Sequence, residues 1–141
     1  MRYVYLAEIR PDPDGGYLVT FTDVPEAITH GGDRNEAIAS AQEALGLALR
    51  GIVQDGRAIP LPSAKTGVAI AVDPEDAIKL AVIEAFRQAG ISKRELARRM
   101  GKTENEARRI LDPDHHSKIG ALQEAMQALG KTIVVSVQEA A

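Results

Sequence analysis

Residues 92–111, with the sequence SKRELARRMGKTENEARRIL, decide how the second half of the chain folds. Ser92 and Thr103 are each followed three positions later by a glutamate, the spacing of a capping box that opens a helix. Gly101 stands between the two helices, where a sharp turn favours positive φ. Two short capped helices joined by a glycine predict a helix-turn-helix, and an ordinary αα-hairpin is the alternative. The predicted helices cover residues 93–100 and 104–111.

A helix-turn-helix that binds DNA places its second helix in the major groove, where the first residues of that helix meet base edges. Arginine pairs with guanine, asparagine pairs with adenine, and glutamate accepts a hydrogen bond from cytosine. The candidate base-reading residues are Thr103, Glu104, Asn105, Arg108 and Arg109. Contacts to the DNA backbone are expected from Lys93, Arg94 and Lys102. Lys102 follows the turn glycine, a position that is usually apolar in such motifs.

A second group of candidate DNA contacts is His116, Ser117 and Lys118, at the start of a helix predicted over 118–129. A helix start suits a phosphate, because its first N–H groups lack partners within the helix. A surface loop that binds nothing is the alternative for the histidines. His115 and His116 are adjacent and project differently, so they form a poor metal-chelating pair.

Charge divides the chain into two unlike parts. Residues 1–72 carry six basic and nine acidic side chains, whereas residues 73–141 carry eleven of each. Within the second part, residues 92–109 hold seven bases and three acids, a local excess that suits an anionic partner. A solvated helix face is the alternative explanation for this basic segment.

Composition excludes several classes of protein. The 141 residues include no cysteine, which excludes a disulfide framework, a cysteine-ligated metal site and a thiol nucleophile. The apolar runs are too short to span a bilayer, and the first residues do not resemble a secretory signal. We therefore expect a soluble cytoplasmic protein without a membrane segment.

The first half of the chain predicts a small sheet with one helix. Apolar residues alternate along 3–10 and 17–22 on either side of a Pro-Asp-Gly-rich turn, which indicates a β-hairpin. A short third strand over 27–30 and a strand over 68–72 flank a helix that begins after Asp33. The sequence thus predicts an α+β fold with a helix on one sheet face.

The domain boundary is expected near residue 73, giving an N-terminal domain over 1–72 and a C-terminal domain over 73–141. Asp73 and Pro74 begin a helix predicted over 75–89, the first of the helices in the all-α second domain. Thr132–Val137 has strand composition, so the second domain is predicted to end in a short β-strand. That strand could pair with its copy across a twofold axis to form a homodimer or higher even oligomer, or join the protein's own sheet.

The order and spacing of these segments resemble the HicB-family antitoxins that carry a C-terminal helix-turn-helix. The resemblance covers almost the entire chain. It rests on the segments DPDGGY at 12–17, FTDVPEA at 21–27, THGGD at 29–33 and ILDPDHHSK at 110–118, together with residues 92–101 and 128–131.

The resemblance implies an N-terminal partial RNase H-like domain that binds and blocks a small HicA-type, mRNA-cleaving toxin. It also implies that the C-terminal domain binds operator DNA and represses the shared operon. An acidic N-terminal domain suits a basic, RNA-binding partner. The candidate toxin contacts are the acidic residues Glu8, Asp12, Asp14 and Asp23.

The same carboxylates leave a nuclease open as an alternative, since an RNase H-type enzyme needs clustered acids that hold two divalent ions. Asp12, Asp14 and Asp23 fall in turns, however, where aspartate is expected to bind the backbone. We expect no catalysis, metal ion or other cofactor. A stand-alone phage-type transcriptional regulator is the remaining alternative.

Overall fold

The computed structural model describes residues 2–140 and confirms the predicted α+β class. Four antiparallel strands form one sheet in the order β3-β2-β1-β4, so the last strand pairs with the first. The strands are β1 (Val4–Pro11), β2 (Tyr17–Phe21), β3 (Ile28–Gly31) and β4 (Val68–Ala71). The helices are α1 (Arg34–Gln54), α2 (Pro74–Ala89), α3 (Lys93–Met100), α4 (Glu104–Ile110) and α5 (Ile119–Ala128).

One face of the sheet packs against α1 and forms the first hydrophobic core. Tyr5 and Ala7 of β1 and Val19 and Phe21 of β2 lie on this face and are buried, as the alternation of apolar residues predicts. The narrow apolar face of α1 covers them. The buried residues of this helix are Ala37, Ala41, Leu45, Gly46, Leu49 and Ile52. Asp33 caps the helix by accepting a hydrogen bond from the N–H of Glu36 at 2.8 Å.

The segment between α1 and β4 is held against the sheet by two side chains. The hydroxyl of Tyr5 donates to the carbonyl of Pro60 at 2.7 Å. The carboxylate of Asp23 accepts from the N–H and the hydroxyl of Ser63 and from the N–H of Ala64, at 2.7–2.9 Å. These contacts direct the chain to the free edge of β1, where β4 pairs.

Helix α2 contributes to both hydrophobic cores. Leu80 belongs to the first core, whereas Val82, two residues further on, belongs to a second core formed with α3, α4 and α5. The second core also buries Leu96, Ile110, Leu122 and Met126. Because one helix contributes to both cores, the expected boundary near residue 73 falls at the start of the element that joins the two halves of the chain.

The predicted strand over 132–137 is wrong. Residues 131–140 lie in neither a helix nor a strand and make no ladder with the four-stranded sheet. Ile133 packs against the second core, and Gln138 accepts a hydrogen bond from Arg2 at 2.7 Å. The three valines of this tail remain largely exposed: Val134, Val135 and Val137.

Within residues 2–140, no helix combines the length and the apolar character that crossing a bilayer requires.

Gly31 offers a test of how closely β3 and α1 approach. A Cβ atom at this position would overlap the backbone N and Cα of Ala37, neither of which can move without displacing α1. We expect Gly31→Ala to lower the free energy of unfolding by about 1–3 kcal/mol, measured by urea denaturation. Gly51→Ala is the matched control, because a Cβ there meets open space in the same helix. This control should raise stability by about 0.5–1 kcal/mol, and equal effects of the two changes would contradict the close approach.

Candidate nucleic-acid interface

A left-handed glycine ends α3 and sets the angle between α3 and α4. Gly101 has φ 66°, which confirms the predicted turn. Its N–H donates to the carbonyl of Arg98 at 3.2 Å, and the N–H of Lys102 donates to the carbonyl of Ala97 at 2.9 Å. This is the Schellman arrangement, which leaves Thr103 in extended backbone, ready to begin α4.

The two predicted capping boxes differ in the structure. Thr103 and Glu106 form the full reciprocal pair, in which the Thr103 N–H donates to the Glu106 carboxylate at 2.7 Å. The hydrogen bonds from Thr103 lower the pKa of Glu106. Ser92 accepts from the N–H of Glu95, but the reciprocal bond predicted for Glu95 is wrong. The Glu95 carboxylate binds Arg98 and Arg99 instead, and these bonds lower its pKa to about 2.

The inner surfaces of α3 and α4 are apolar and closely packed. Leu96 and Ala97 of α3 and Ala107 and Ile110 of α4 are buried. The small side chains of Ala97 and Ala107 allow the two helices to approach, and Leu96 and Ile110 fill the space toward α5. One surface of α4 is therefore committed to the protein interior.

The opposite surface of α4 faces solvent. All five candidate base-reading residues are exposed: Thr103, Glu104, Asn105, Arg108 and Arg109. An Nη atom of Arg108 donates to a carboxylate oxygen of Glu104 at 2.9 Å, one turn earlier on the same face. Arg109 forms no ion pair with the residues that the structure describes, so its guanidinium is available to a ligand.

Ion pairs within the protein occupy four of the seven basic side chains in 92–109. Glu95 binds Arg98 and Arg99, and Glu104 binds Arg108. Lys102 lies 3.4 Å from the carboxylate of Glu124 on α5, so the cation at the usually apolar position joins the turn to α5. The remaining bases are Lys93, Arg94 and Arg109, and all three are exposed.

The segment before α5 presents polar groups at the start of that helix. Lys118 occupies the N-cap position, and its side chain makes no capping hydrogen bond. His116 is exposed and lies 3.5 Å from the carboxylate of Glu75. The hydroxyl of Ser117 accepts a hydrogen bond from Lys79 at 2.7 Å, so this candidate residue also has an internal partner.

Lys79 on α2 is a residue that the sequence analysis does not identify. Within residues 2–140 it is the only fully buried charged side chain, with 5% of its surface exposed. Its Nζ donates to the carbonyls of Arg109 and Ile110 at 3.1 and 2.8 Å, and to the hydroxyl of Ser117. Burial lowers its pKa to about 8, and the nearby charge of Asp112 opposes this effect. The sequence signal was a lysine on the same helix face as Val82 and Phe86.

A polar contact joins α1 to the segment that follows α4. Arg50 donates to the carboxylate of Asp76 at 2.8 Å and lies 3.7 Å from that of Asp114. Gln54 also donates to Asp114, at 3.0 Å. Gly46 makes room for this contact, because a Cβ at that position would lie 2.8 Å from an oxygen of Asp76.

The four acidic candidates in the first half do not come together. The carboxylate of Glu8 pairs with Arg10 at 2.7 Å, and that of Asp12 accepts from the N–H of Asp14 inside the hairpin turn. Asp23 lies near the opposite end of β2, where the N–H of Ala64 and the two donors of Ser63 lower its pKa. Across residues 2–140, no group of three or more histidines or acids is placed to hold a metal ion.

Comparison with known proteins gives one consistent family. Residues 4–82 match the family described as HicB_like antitoxin of bacterial toxin-antitoxin system. Antitoxin HicB of Escherichia coli (strain K12) is 40% identical over 131 residues, which cover 92% of this chain and 95% of that protein. Antitoxin HicB 1 of Photorhabdus laumondii is 34% identical over 95% of this chain and 86% of its own length. Antitoxin HicB of Pseudomonas fluorescens is 32% identical over 98% of this chain and 96% of its own length.

This chain belongs to the HicB-like antitoxins of bacterial toxin–antitoxin systems. The family match extends to residue 82 and so includes the part of α2 that completes the first core. The resemblance noted in the sequence is thereby confirmed. The roles of the individual candidate residues stay predictions.

The lowered pKa of Lys79 predicts a distinct dependence of stability on pH. In the folded chain this group releases its proton near pH 8, whereas an unfolded lysine holds it to about pH 10.5. Between these values the unfolded state binds more protons, so the free energy of unfolding should rise with pH. Below pH 8 both states hold the proton, so this contribution becomes constant. We expect this rise in the wild type relative to Lys79→Met, measured by urea denaturation from pH 7 to 10.5. Parallel pH profiles for the two proteins would contradict the assignment.

Proposed function

We propose that this antitoxin acts through two surfaces: residues 1–72 bind and neutralise a small HicA-type, RNA-cleaving toxin, and residues 73–141 bind operator DNA and repress the shared operon. The observation that carries the DNA-binding half is the division of α4 between its two sides. Its apolar side is buried against α3 and α5, while its polar side carries the five predicted base-reading residues in solvent. In this proposal α3, the Gly101 turn and α4 form a helix-turn-helix.

The ion pairs assign different roles to the exposed side chains. Arg108 reads a base edge, because its side chain lies on the exposed face of α4, where Glu104 one turn earlier orients its guanidinium. Asn105 and Thr103 reach neighbouring base pairs from the first turn of α4. Glu104 also excludes nonspecific phosphate contact, since a carboxylate repels the DNA backbone.

Contacts to phosphates come from the lysine and arginine side chains that have no carboxylate partner within the protein. Lys93 and Arg94 are exposed at the start of α3, and Lys118 is exposed at the start of α5. His116 and Ser117 support the same phosphate site beside Lys118. Lys102 contributes less than its position suggests, because Glu124 neutralises it.

The toxin-binding half of the proposal rests on family membership and on charge. Residues 1–72 carry an excess of three acids, which complements a basic, RNA-binding protein. Glu8, Asp12 and Asp14 lie on β1 or in the hairpin that follows it. Asp23 is the poorest of the four candidates, because its carboxylate is already occupied by Ser63 and Ala64.

The toxin proposal is tested with the small basic protein that we expect an adjacent reading frame to encode. We expect the two proteins to co-purify and the antitoxin to restore growth when both are expressed. Glu8→Lys combined with Asp14→Lys should weaken the complex about tenfold or more, or about 1.4 kcal/mol, by titration calorimetry. Glu43→Lys, an exposed acid on α1, is the matched control and should have little effect. Equal losses in the variant and the control would remove the acidic surface from the proposal.

The DNA proposal is tested by comparing two arginines and a lysine. On a duplex chosen from the DNA upstream of the gene, Arg108→Ala should cost about 1–3 kcal/mol and relax preference at one base pair. Lys93→Ala should weaken binding to every sequence evenly and reduce the salt slope by about one charge. Arg57→Ala, an exposed arginine of the first half, is the control. If Arg108→Ala and Lys93→Ala give equal losses on all sequences, Arg108 does not read bases.

We also propose that the chain binds DNA as a homodimer, because one recognition helix rarely suffices and paired helices read half-sites one turn apart. Three exposed valines and an unpaired backbone make the tail after Ile133 the contact between copies. Deleting residues 134–141 keeps Ile133 in the second core and should convert the dimer to a monomer in sedimentation velocity. A dimer of unchanged affinity would place the contact elsewhere.

A further inference from the structure

The buried ammonium of Lys79 holds the end of the proposed DNA-reading helix. Two of its hydrogen bonds go to the carbonyls of Arg109 and Ile110, the last residues of α4. Its third bond goes to Ser117, just before α5. All three ammonium protons are thus committed to groups on one side of α2, at distances of 2.7–3.1 Å.

The part of α2 that carries Lys79 is held in place by contacts on both sides. Leu80, the next residue along the chain, is fully buried in the first core, and Val82 is fully buried in the second. Asp76, one turn earlier on α2, binds Arg50 of α1 at 2.8 Å. Because α2 is held on both sides, Lys79 cannot follow a movement of α4 without breaking these contacts.

Helix α4 is short, so the contacts at its two ends have a strong effect on its direction. It contains seven residues, fewer than two full turns, and only Ala107 and Ile110 of these are buried. Its first turn is fixed by the Thr103 capping box and its last turn by Lys79. Arg109 shows the result at one residue, since its carbonyl is held from inside while its side chain faces solvent.

We propose that Lys79 is the positioning residue of α4: it sets the angle at which Arg108 and Arg109 meet DNA and does not itself touch DNA. The part of this inference that concerns DNA rests on the function proposed above. The part that concerns α4 holds for the free protein and can be measured without DNA.

The test compares Lys79→Met, Lys79→Gln and Lys118→Ala, with urea denaturation to establish that each variant is folded. Binding is measured to the duplex from upstream of the gene and to a scrambled duplex, over a range of salt concentrations. For Lys79→Met the ratio of specific to nonspecific affinity should fall at least about tenfold, with the salt slope unchanged. For Lys79→Gln, which keeps an N–H donor, the loss should be smaller. For Lys118→Ala the slope should fall by about one charge, with the ratio unchanged.

Hydrogen exchange of the free protein tests the position of α4 without DNA. In Lys79→Met the amides of Leu111 and Asp112, which bond to carbonyls of α4, should exchange faster, while that of Leu96 in α3 should not change. An unchanged affinity ratio in a folded Lys79→Met, or a salt slope reduced as in Lys118→Ala, would overturn the inference. If the wild type binds no duplex, the proposed function fails, and unchanged exchange at Leu111 and Asp112 would then overturn the positioning role as well.

Discussion

The structure depends on the way that a single helix, α2, is shared between two hydrophobic cores. Leu80 packs under the sheet, Val82 packs among the C-terminal helices, and Lys79 bonds to the end of α4. About one turn of α2, residues 79–82, thus contacts both halves of the chain. In the proposed function, the toxin-binding and DNA-binding surfaces are therefore both attached to the same helix.

The ion pairs within the protein determine which basic side chains of residues 92–109 remain available to DNA. The basic segment over 92–109 suggests a general attraction to DNA, yet Glu95, Glu104 and Glu124 form ion pairs with four of its seven basic side chains, Glu95 with two of them. The bases left over are few and lie at helix starts or on the exposed side of α4. Such a distribution favours selective binding, in which a few placed groups matter more than total charge. The same reasoning applies to Asp23, whose charge is used inside the protein.

Local signals in the sequence predict much of this fold. The hairpin glycines, the caps at Asp33, Thr103 and Ser92, and the turn at Gly101 depend on residues no more than a few positions apart, and the structure confirms each of these elements. Glu95 shows the limit of such reasoning. Its carboxylate could accept either from the backbone N–H of Ser92 or from nearby arginines, and in the structure it binds Arg98 and Arg99. The exposed face of α4 follows from helix periodicity, so the sequence alone could identify the residues that it presents.

Features that depend on contacts between distant parts of the chain could not be predicted from the sequence. Lys79 meets carbonyls some thirty positions away, and Asp23 meets a loop some forty positions away. The tail shows the converse error: strand composition at Thr132–Val137 predicts a strand, but these residues do not pair with the sheet.

Gly46 lies on the side of α1 that faces α2, and the carboxylate of Asp76 occupies the space that a side chain would need. Any residue other than glycine would push that carboxylate, which binds Arg50, away from its present position. Positions 46, 50 and 76 should therefore covary among relatives. A relative with a larger residue in place of Gly46 should also have different residues in place of Arg50 and Asp76.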